Sequence, residues 1–527
     1  MDNINTYEFY KINTAPEHFI FPNLLIKTKK VKIINKINWN TKKQWNNSNR
    51  NSNSNSNRNS NSNRNSNRNS NSNSNRNRNR NRNSNSNSNS NSNSNSNRNS
   101  NRNSNSNRNS NSNRNDDYNR YIQLDISNIN DDMNELLTTA KNQIELYYNK
   151  RDWDCVKKIT NPFELIYVTS KYSKKHSISL YEPLSRSYFK MIEMIYEFLN
   201  NDLTKKTKIK TLHLAEGPGG FMEAFINYRS NKDDIYYGIT LKSINNNIPG
   251  WNKSINFINK HLNLNIISGI DNMGDLYNIY NHYYMMNRLG RNTMDVITGD
   301  GGFDFSVDFN LQEEYAQKLI FSQIIMGFQM LKTGGTFICK FFDTFTNLTH
   351  EFIFLLYLFY DKIYIYKPST SRLANSERYL ICKGFKGTTT LFIYELIQIL
   401  DIWNTLDKTN EKNKIIEQTD KYNFKRDCEY YNTHIDSIIN FDECDIYLKT
   451  KFIEFKKQIN NINWTFQNIQ INNINKTVDI IKYPPVDKWY MENCKEQIKI
   501  AIQWCKKYNI PHKSFVYNLN YNEVYDF

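Results

Sequence analysis

The 527-residue sequence predicts an α/β protein with a mostly parallel, doubly wound sheet of seven strands, the last of them reversed. Three observations carry the prediction. Beyond Lys208, short apolar runs alternate with helix-length stretches, the pattern of strand–helix–strand units stacked into a parallel sheet. The final two runs, "KIYIYK" and "RYLICKGF", are joined by the stretch from Lys367 to Glu377, too short for a crossover helix, so these two pair antiparallel. Polar and charged residues gather where the apolar runs end, the edge at which α/β sheets build sites.

Taken in order, residues 1–46 are Asn- and Lys-rich with scattered aromatics and carry no assignable element. Asn47 to Asn115 is an alternation of Asn with Ser or Arg. With no apolar residue to bury, this tract cannot offset its ordering entropy and is expected to be disordered. About a dozen of the positive charges behind the net +17 are Arg inside it. The remainder is mildly basic, which permits a nucleic-acid partner without demonstrating one. A helix is expected in "DDMNELLTTAKNQIELYYNKRDWDCVKKI", where Leu136, Leu137, Ala140, Ile144 and Tyr147 recur at helical spacing. A second lies in "EPLSRSYFKMIEMIYEFL", with Tyr188, Phe189, Ile192, Ile195 and Tyr196 on its apolar face.

Strands follow at "IKTLHLA", "IYYGITL", "LNIIS", "MDVITGD", "GTFICKFF", "KIYIYK" and "RYLICKGF". Between them "GFMEAFINYRS", "LQEEYAQKLIFSQIIMGFQML" and "THEFIFLLYLFY" read as helices. From about Thr388 the chain is mainly helical, including "MENCKEQIKIAIQWCKKY", with no legible chemistry. The expected division is an unassigned segment 1–46, the tract 47–115, an α/β domain 116–390 with its core at about 182–386, and a helical extension 391–527.

Seven Cys without a CxxC pair or a close His/Cys cluster argue against a zinc module and read as free thiols in a reducing compartment. The start "MDNINTYEFYKINTAPEHF" lacks the basic-then-apolar order of a secretory leader, and the most apolar window, Phe352 to Tyr360, is about half a membrane span. A soluble intracellular protein is expected.

Four motifs carry chemistry. The first strand runs into "LAEGPGGFMEAF", where Gly217, Gly219 and Gly220 allow a tight turn and close ligand approach at a helix N-terminus. It has neither a GK[ST] end nor GxGxxG spacing, which lowers the P-loop and dinucleotide readings. In "MDVITGDGGFDFS", Asp300 follows an apolar strand and projects at its carboxyl end. In "GTFICKFFDTFT", Lys340 stands inside an apolar run, an unusual place for a strongly hydrated ammonium. In "KPSTSRLANSERYLICKGF", Asn375, Ser376, Glu377 and Arg378 stand at the mouth of a strand. Three strands thus each deliver one charged residue to the same rim.

The set "EGPGGF", "TGDGGF", "FICKFFDTFT" and "KPSTSRLANSERYLICKGF" resembles the FtsJ-type (RrmJ-like) RNA 2′-O-methyltransferases, in particular the mRNA cap 2′-O-methyltransferases with the Adrift-type domain. The similarity runs from Asn161, in "NPFE", to about Lys386. It implies a Rossmann-like class I methyltransferase fold, S-adenosylmethionine as donor, no metal, and a Lys-Asp-Lys-Glu tetrad whose last three members match Asp300, Lys340 and Glu377. The first Lys matches Lys190, with Lys174, Lys175 and Lys205 also nearby in sequence.

For the donor, Ala215, Glu216, Gly217, Pro218, Gly219, Gly220 and Phe221 match the methionine-side loop, Asp275 and Leu276 the adenine-side motif, and Ser185 a small polar contact. Two departures stand out: His213 occupies a position where many relatives carry an acid, and "YYGITLKS" offers no carboxylate for the donor ribose. Glu216 is a substitute for one of these, and His213 reads equally well as a hydrogen-bonded core histidine. For the acceptor, Asn310, Leu311 and Gln312 resemble a substrate-strand segment, Asn375 an RNA-contacting amide, and Lys157 a basic residue at the capped end. Arg372 and Arg378 are candidates for phosphate contact.

The residue types suit the chemistry. A ribose 2′-hydroxyl must lose its proton as it attacks, and a Lys with a lowered pKa can take it. Lys340 is the candidate base, Lys190 the neighbouring cation, and Asp300 and Glu377 their orienting anions. The substrate expected is RNA, first of all the first transcribed nucleotides of capped mRNA. The alternatives are an rRNA or tRNA ribose methyltransferase, and an idle RNA-binding subunit that kept the fold. The Asn-rich, Gly-poor composition points to an AT-rich genome, as in large DNA viruses or some protists; virion association would follow only from the former.

Overall fold

A computed structural model of the chain describes residues 10–12, 32–33, 133–147, 152–169, 174–242, 250–302, 309–417, 433–515 and 521–525. The Asn/Ser/Arg tract and most of residues 1–46 lie outside the described residues. The strands are β1 (Tyr10–Ile12), β2 (Lys32–Ile33), β3 (Lys210–Leu214), β4 (Ile235–Ile239), β5 (Leu264–Ile267), β6 (Met294–Gly299), β7 (Leu331–Phe341), β8 (Tyr360–Tyr366), β9 (Arg378–Phe385) and β10 (Thr433–His434). The seven expected strands are all present. They form one sheet in the order β8-β9-β7-β6-β3-β4-β5, with β1 added as an eighth strand outside β8. A separate ladder joins β2 to β10. Neither β1 nor the β2–β10 pair was legible, because two or three residues carry no period.

The β4–β5, β3–β4, β3–β6 and β6–β7 pairs are parallel, while β9 runs antiparallel to both β7 and β8. The chain fills the sheet outward from β3 in one direction, then returns to place β6 on its other side. This makes the β3–β6 boundary the topological switch point, where α/β sheets open a crevice beyond their carboxyl ends.

Helices lie on both faces: α1 (133–147), α2 (Asp152–Ile159), α3 (Ser187–Met194), α4 (Gly220–Arg229), α5 (Ile255–Lys260), α6 (Ile279–Leu289), α7 (Gln312–Met330), α8 (Asn347–Phe359), α9 (Thr390–Glu417), α10 (Ile446–Lys482) and α11 (Asp487–Lys507). Strand alternation sorts the core. On β9, Leu380 and Cys382 join the cluster under α7 and α8, whereas Tyr379 and Ile381 join the cluster under α3 and α4. Asn278, Thr346 and Asp445 cap α6, α8 and α10 through side-chain oxygens. The 37-residue α10 lies within the extension expected to be mainly helical, and several of its polar side chains are buried, among them Asn463, Gln467, Gln470 and Asn473.

Those polar contacts show what the C-terminal helices do. Asn463 bonds Thr344 and Arg378, Gln470 reaches the Ala374 carbonyl, and Gln497 reaches the carbonyls of Ile159 and Asn161. On α11, Trp504 Nε1 donates to Glu193 at 3.1 Å. The buried Glu193 carboxylate also accepts from Tyr366 Oη at 2.5 Å and from Ser369 N and Oγ at 2.7 and 2.8 Å. One carboxylate thereby ties α3, the end of β8, the loop before β9 and α11 together.

Replacing it should be costly, because a buried carboxylate removed in isolation strands its donors. Glu193→Ala is expected to lower unfolding stability by about 3 kcal/mol, read from urea denaturation. A loss below about 0.5 kcal/mol, the size of an ordinary surface substitution, would contradict this account of how the C-terminal helices are held.

Candidate active site

The rim at the carboxyl ends of β3, β6 and β7 receives the start of β9, because β9 is reversed. Strand β3 delivers the loop Ala215–Gly219, which turns into α4 through Gly219 at φ +110°. A Cβ on Gly220 would lie 2.2 Å from Ser187 Oγ and 2.3 Å from Ser185 Oγ, so a side chain there would displace both hydroxyls. Ser185 is thus packed against the loop, with its Oγ 2.5 Å from that of Ser187.

Asp300 follows β6, Lys340 is the penultimate residue of β7, and Glu377 immediately precedes β9. Lys340 Nζ lies 3.2 Å from Asp300 Oδ1 and donates to the Asp300 carbonyl at 2.8 Å. Lys190, on α3, reaches across to Glu377 Oε1 at 2.5 Å. Among the alternatives, Lys174 pairs with Glu182, Lys175 pairs with Glu523 and Lys205 is exposed, so Lys190 is the lysine that α3 brings to the rim. The Lys340 ammonium inside that apolar run is thus engaged by Asp300 at the rim.

The charges settle by competition between burial and pairing. Burial alone would lower the Lys340 pKa, but Asp300 and Glu377 overcome it and raise the value. Burial would raise Glu377, yet Lys190 and Lys340 hold it far below the usual carboxylate range. Among the described residues no cation forms an ion pair with Glu216. Burial and the nearby Asp300 push it well above the carboxylate range, while its Oε1 accepts from Phe221 N at 2.6 Å. Its Oε2 is buried and makes no hydrogen bond among the described residues.

That orphaned oxygen bears on the donor. S-adenosylmethionine carries a sulfonium and an ammonium, and two neighbouring acids, Glu216 and Asp300, suit a positively charged group. A Cβ on Gly302 would lie 3.0 Å from Lys340 Nζ, so this glycine keeps the space beside the amine open. The residues present fit such a group. Asp275 Oδ1 accepts from Tyr277 N at 2.8 Å, whereas Leu276 is core-buried with its carbonyl bound by His282.

On the acceptor side, Gln312 Oε1 accepts from Ser376 Oγ at 2.5 Å, and Asn375 Oδ1 accepts from Glu377 N at 2.5 Å. Asn310 and Leu311 form the turn that leads into α7, and Asn310 donates to Asn142. Lys157 pairs with Asp154 and has its pKa lowered by burial, with Arg372 close enough to add to the effect. Arg378 is not a phosphate contact. It is 1% exposed, bonded to Asn463 and Asp343 and stacked on Phe466. Arg372 is committed to Glu164, whose carboxylate it shares with Arg186.

Several residues of this site were not legible. Lys367 is buried and donates to the carbonyls of Asn375 and Glu377 at 2.5 and 2.9 Å. Burial brings its pKa down to about 7. Tyr379 read as one apolar residue of a strand. Its register opposite Lys340, which only pairing could disclose, puts its hydroxyl between the carboxylates. His213 is the core histidine: fully buried, bonded to Thr211 and Thr298 at 2.8 Å, and lowered by burial to about 3. Among the described residues no cluster of His, Cys, Asp and Glu could hold a metal, and no helix is long and apolar enough to cross a membrane.

Comparison with known proteins bears on the same rim. Residues 183–385 match the FtsJ-like methyltransferase family. Two mammalian proteins, each a cap-specific mRNA (nucleoside-2′-O-)-methyltransferase 1, are similar over 224 residues, the Mus musculus one at 32% identity and the Bos taurus one at 34%. The match covers 38% of this chain and 26% of theirs. The Trypanosoma cruzi protein of the same description is 32% identical over 198 residues, 37% of this chain and 53% of its own. The chain therefore spans 26% of the mammalian relatives' length and 53% of the trypanosome's. It carries an FtsJ-like methyltransferase domain.

The histidine gives a pH test with a definite sign. The unfolded chain protonates His213 near pH 6.5, and the folded chain only near 3. Between these values the unfolded state binds the extra proton, so His213 costs stability as pH falls. The stability of the wild type minus that of His213→Gln is expected to drop by about 1.4 kcal/mol per pH unit below 6, by chemical denaturation. A difference independent of pH from 6 to 4 would contradict a neutral buried His213.

Proposed function

We propose that residues 183–385 transfer a methyl group to a ribose 2′-hydroxyl of RNA, with the first transcribed nucleotides of capped mRNA as substrate. The observation that carries the reading is the pairing of Lys340 with Asp300 and of Lys190 with Glu377 on one rim, beside the loop Ala215–Gly219. In this reading 116–390 is the catalytic domain, and the extension 391–527 braces the loop before β9. Capped transcripts would place the protein where they are made or used, in nucleus or cytoplasm.

S-adenosylmethionine would lie along Ser185, Ala215–Phe221, Asp275 and Leu276, and when bound it supplies a methyl group on a positively charged sulfur. The chain's own residues handle the acceptor. Asn310, Leu311, Gln312 and Asn375 would line the acceptor strand, with Lys157 toward the capped end. Lys340 accepts the 2′-hydroxyl proton. In the free protein its pKa is raised by Asp300 and Glu377, so it enters the cycle charged and has to release a proton before it can act. A second positive charge brought beside it favours that release. Asp300 fixes the Lys340 amine toward the rim, and Glu377 does the same for Lys190.

The test is labelled methyl transfer to short RNAs matched except for a 7-methylguanosine cap, with nuclease mapping of the product. Label at the first-nucleotide 2′-O position on capped RNA alone is the expected outcome. Equal label on uncapped or structured rRNA would replace the cap reading with the rRNA or tRNA one. Lys340→Ala should lose roughly 10³-fold in turnover while binding the donor normally. Full turnover by that variant would overturn its assignment as the base.

A further inference from the structure

We propose that Tyr379 is a positioning residue of this site, its buried hydroxyl supplying the proton that lets the Asp300 and Glu377 carboxylates stay ionised side by side. The proposal deepens the ribose methyl-transfer reading and rests on it for its kinetic consequence only.

The placement follows from register. Lys340 on β7 is directly opposite Tyr379 on the antiparallel β9, so the two side chains leave the sheet on the same face. The Tyr379 ring is fully buried, 5.8 Å between centroids from Phe221 at the start of α4. From there its Oη lies 2.8 Å from Asp300 Oδ1 and 2.7 Å from Glu377 Oε1. These are the same two oxygens that receive the lysines, Lys340 at 3.2 Å and Lys190 at 2.5 Å. The five groups therefore form one unbroken line: Lys340, Asp300, Tyr379, Glu377, Lys190.

A hydroxyl has one proton, and here it faces two anions. The phenol does not surrender that proton. Burial, Asp300 and Glu377 together push its pKa well above the ordinary tyrosine value. It acts as a neutral donor between the carboxylates, and a hydrogen bond to an ionised acceptor is about twice as strong as a neutral one. Remove the hydroxyl and two carboxylate oxygens face each other with no donor between them. Like charges sharing a site raise the pKa of one member. The remaining charges do not replace the missing proton. Glu216 adds a further acid beside Asp300, while Lys367 and Arg378 stand behind Glu377 and are engaged by backbone carbonyls, Asn463 and Asp343. A carboxyl that picks up a proton releases its lysine, and the amine loses its aim.

A tyrosine that merely fills the core would affect stability without changing any carboxyl titration. The experiment compares the full chain with Tyr379→Phe in two readouts. The first is ¹³C titration of labelled Asp and Glu carboxyls in the ligand-free protein, with Asp300→Asn and Glu377→Gln used to assign the two signals. One of the two is expected to titrate about one pH unit higher, or more, in the variant. The second is the pH profile of kcat for methyl transfer, whose acidic limb should move up by a similar amount, with KM for RNA within about twofold. 3,5-Difluorotyrosine at position 379 keeps the ring and donates more strongly, so it should shift the same carboxyl downward and serves if the Phe variant does not fold. Unchanged titration of both carboxyls would overturn the proposal, whatever happens to turnover. A shifted carboxyl in a protein that methylates no RNA would uphold Tyr379 and remove the methyl-transfer reading instead.

Discussion

The reversal of β9 is the constraint on which the site depends. In an all-parallel sheet a strand's first residue lies at the opposite edge from the crevice, and Glu377 would be far from Asp300 and Lys340. Because β9 is inserted antiparallel between β7 and β8, its first residues return to the rim where β3, β6 and β7 end. The same insertion puts Tyr379 across from Lys340 and leaves the loop of residues 367–377 lying over the rim. That loop is short, and so it must be held from outside. Glu193 and Glu164 do this by binding Ser369 and Arg372, while Lys367 ties the loop from within through the carbonyls of Asn375 and Glu377.

Collecting two lysines and two carboxylates at a largely buried rim is stable only as a set. Each charge taken alone would be driven toward its neutral form by desolvation. Glu216 shows that outcome, for it forms no ion pair among the described residues and its pKa moves upward. Glu377, equally buried, moves far downward because Lys190 is bonded to it and Lys340 is near. Pairing, not depth, decides which acid is charged. The same balance raises the Lys340 pKa in spite of its burial, through Asp300 and Glu377.

Much of this was visible in the sequence. Seven strands, the antiparallel last pair and the three residues Asp300, Lys340 and Glu377 could be read because strand ends, Gly turns and a Lys inside "FICKFF" are local signals. Lys190 was chosen from the resemblance alone, since helix spacing does not say which lysine faces the sheet. What stayed hidden depends on partners far away in sequence. Arg378 looked like a surface arginine because nothing local shows that Asn463 and Asp343, in distant segments, enclose it. Tyr379 looked like strand filler because its role lies in register. Asn463 and Gln470 of α10 likewise anchor that helix to the loops around the rim, through contacts that no local pattern discloses.

The central claim is that this rim acts on a ribose 2′-oxygen, and a single atom tests it. Two capped RNAs would be compared, identical except that the first transcribed nucleotide carries ribose in one and 2′-deoxyribose in the other, with methyl transfer from labelled S-adenosylmethionine as the readout. Label on the ribose RNA and none on its deoxy counterpart is the result expected. Equal label on both would mean that the methyl group goes elsewhere, and would contradict Lys340 as the base for a 2′-hydroxyl and the aiming of its amine by Asp300.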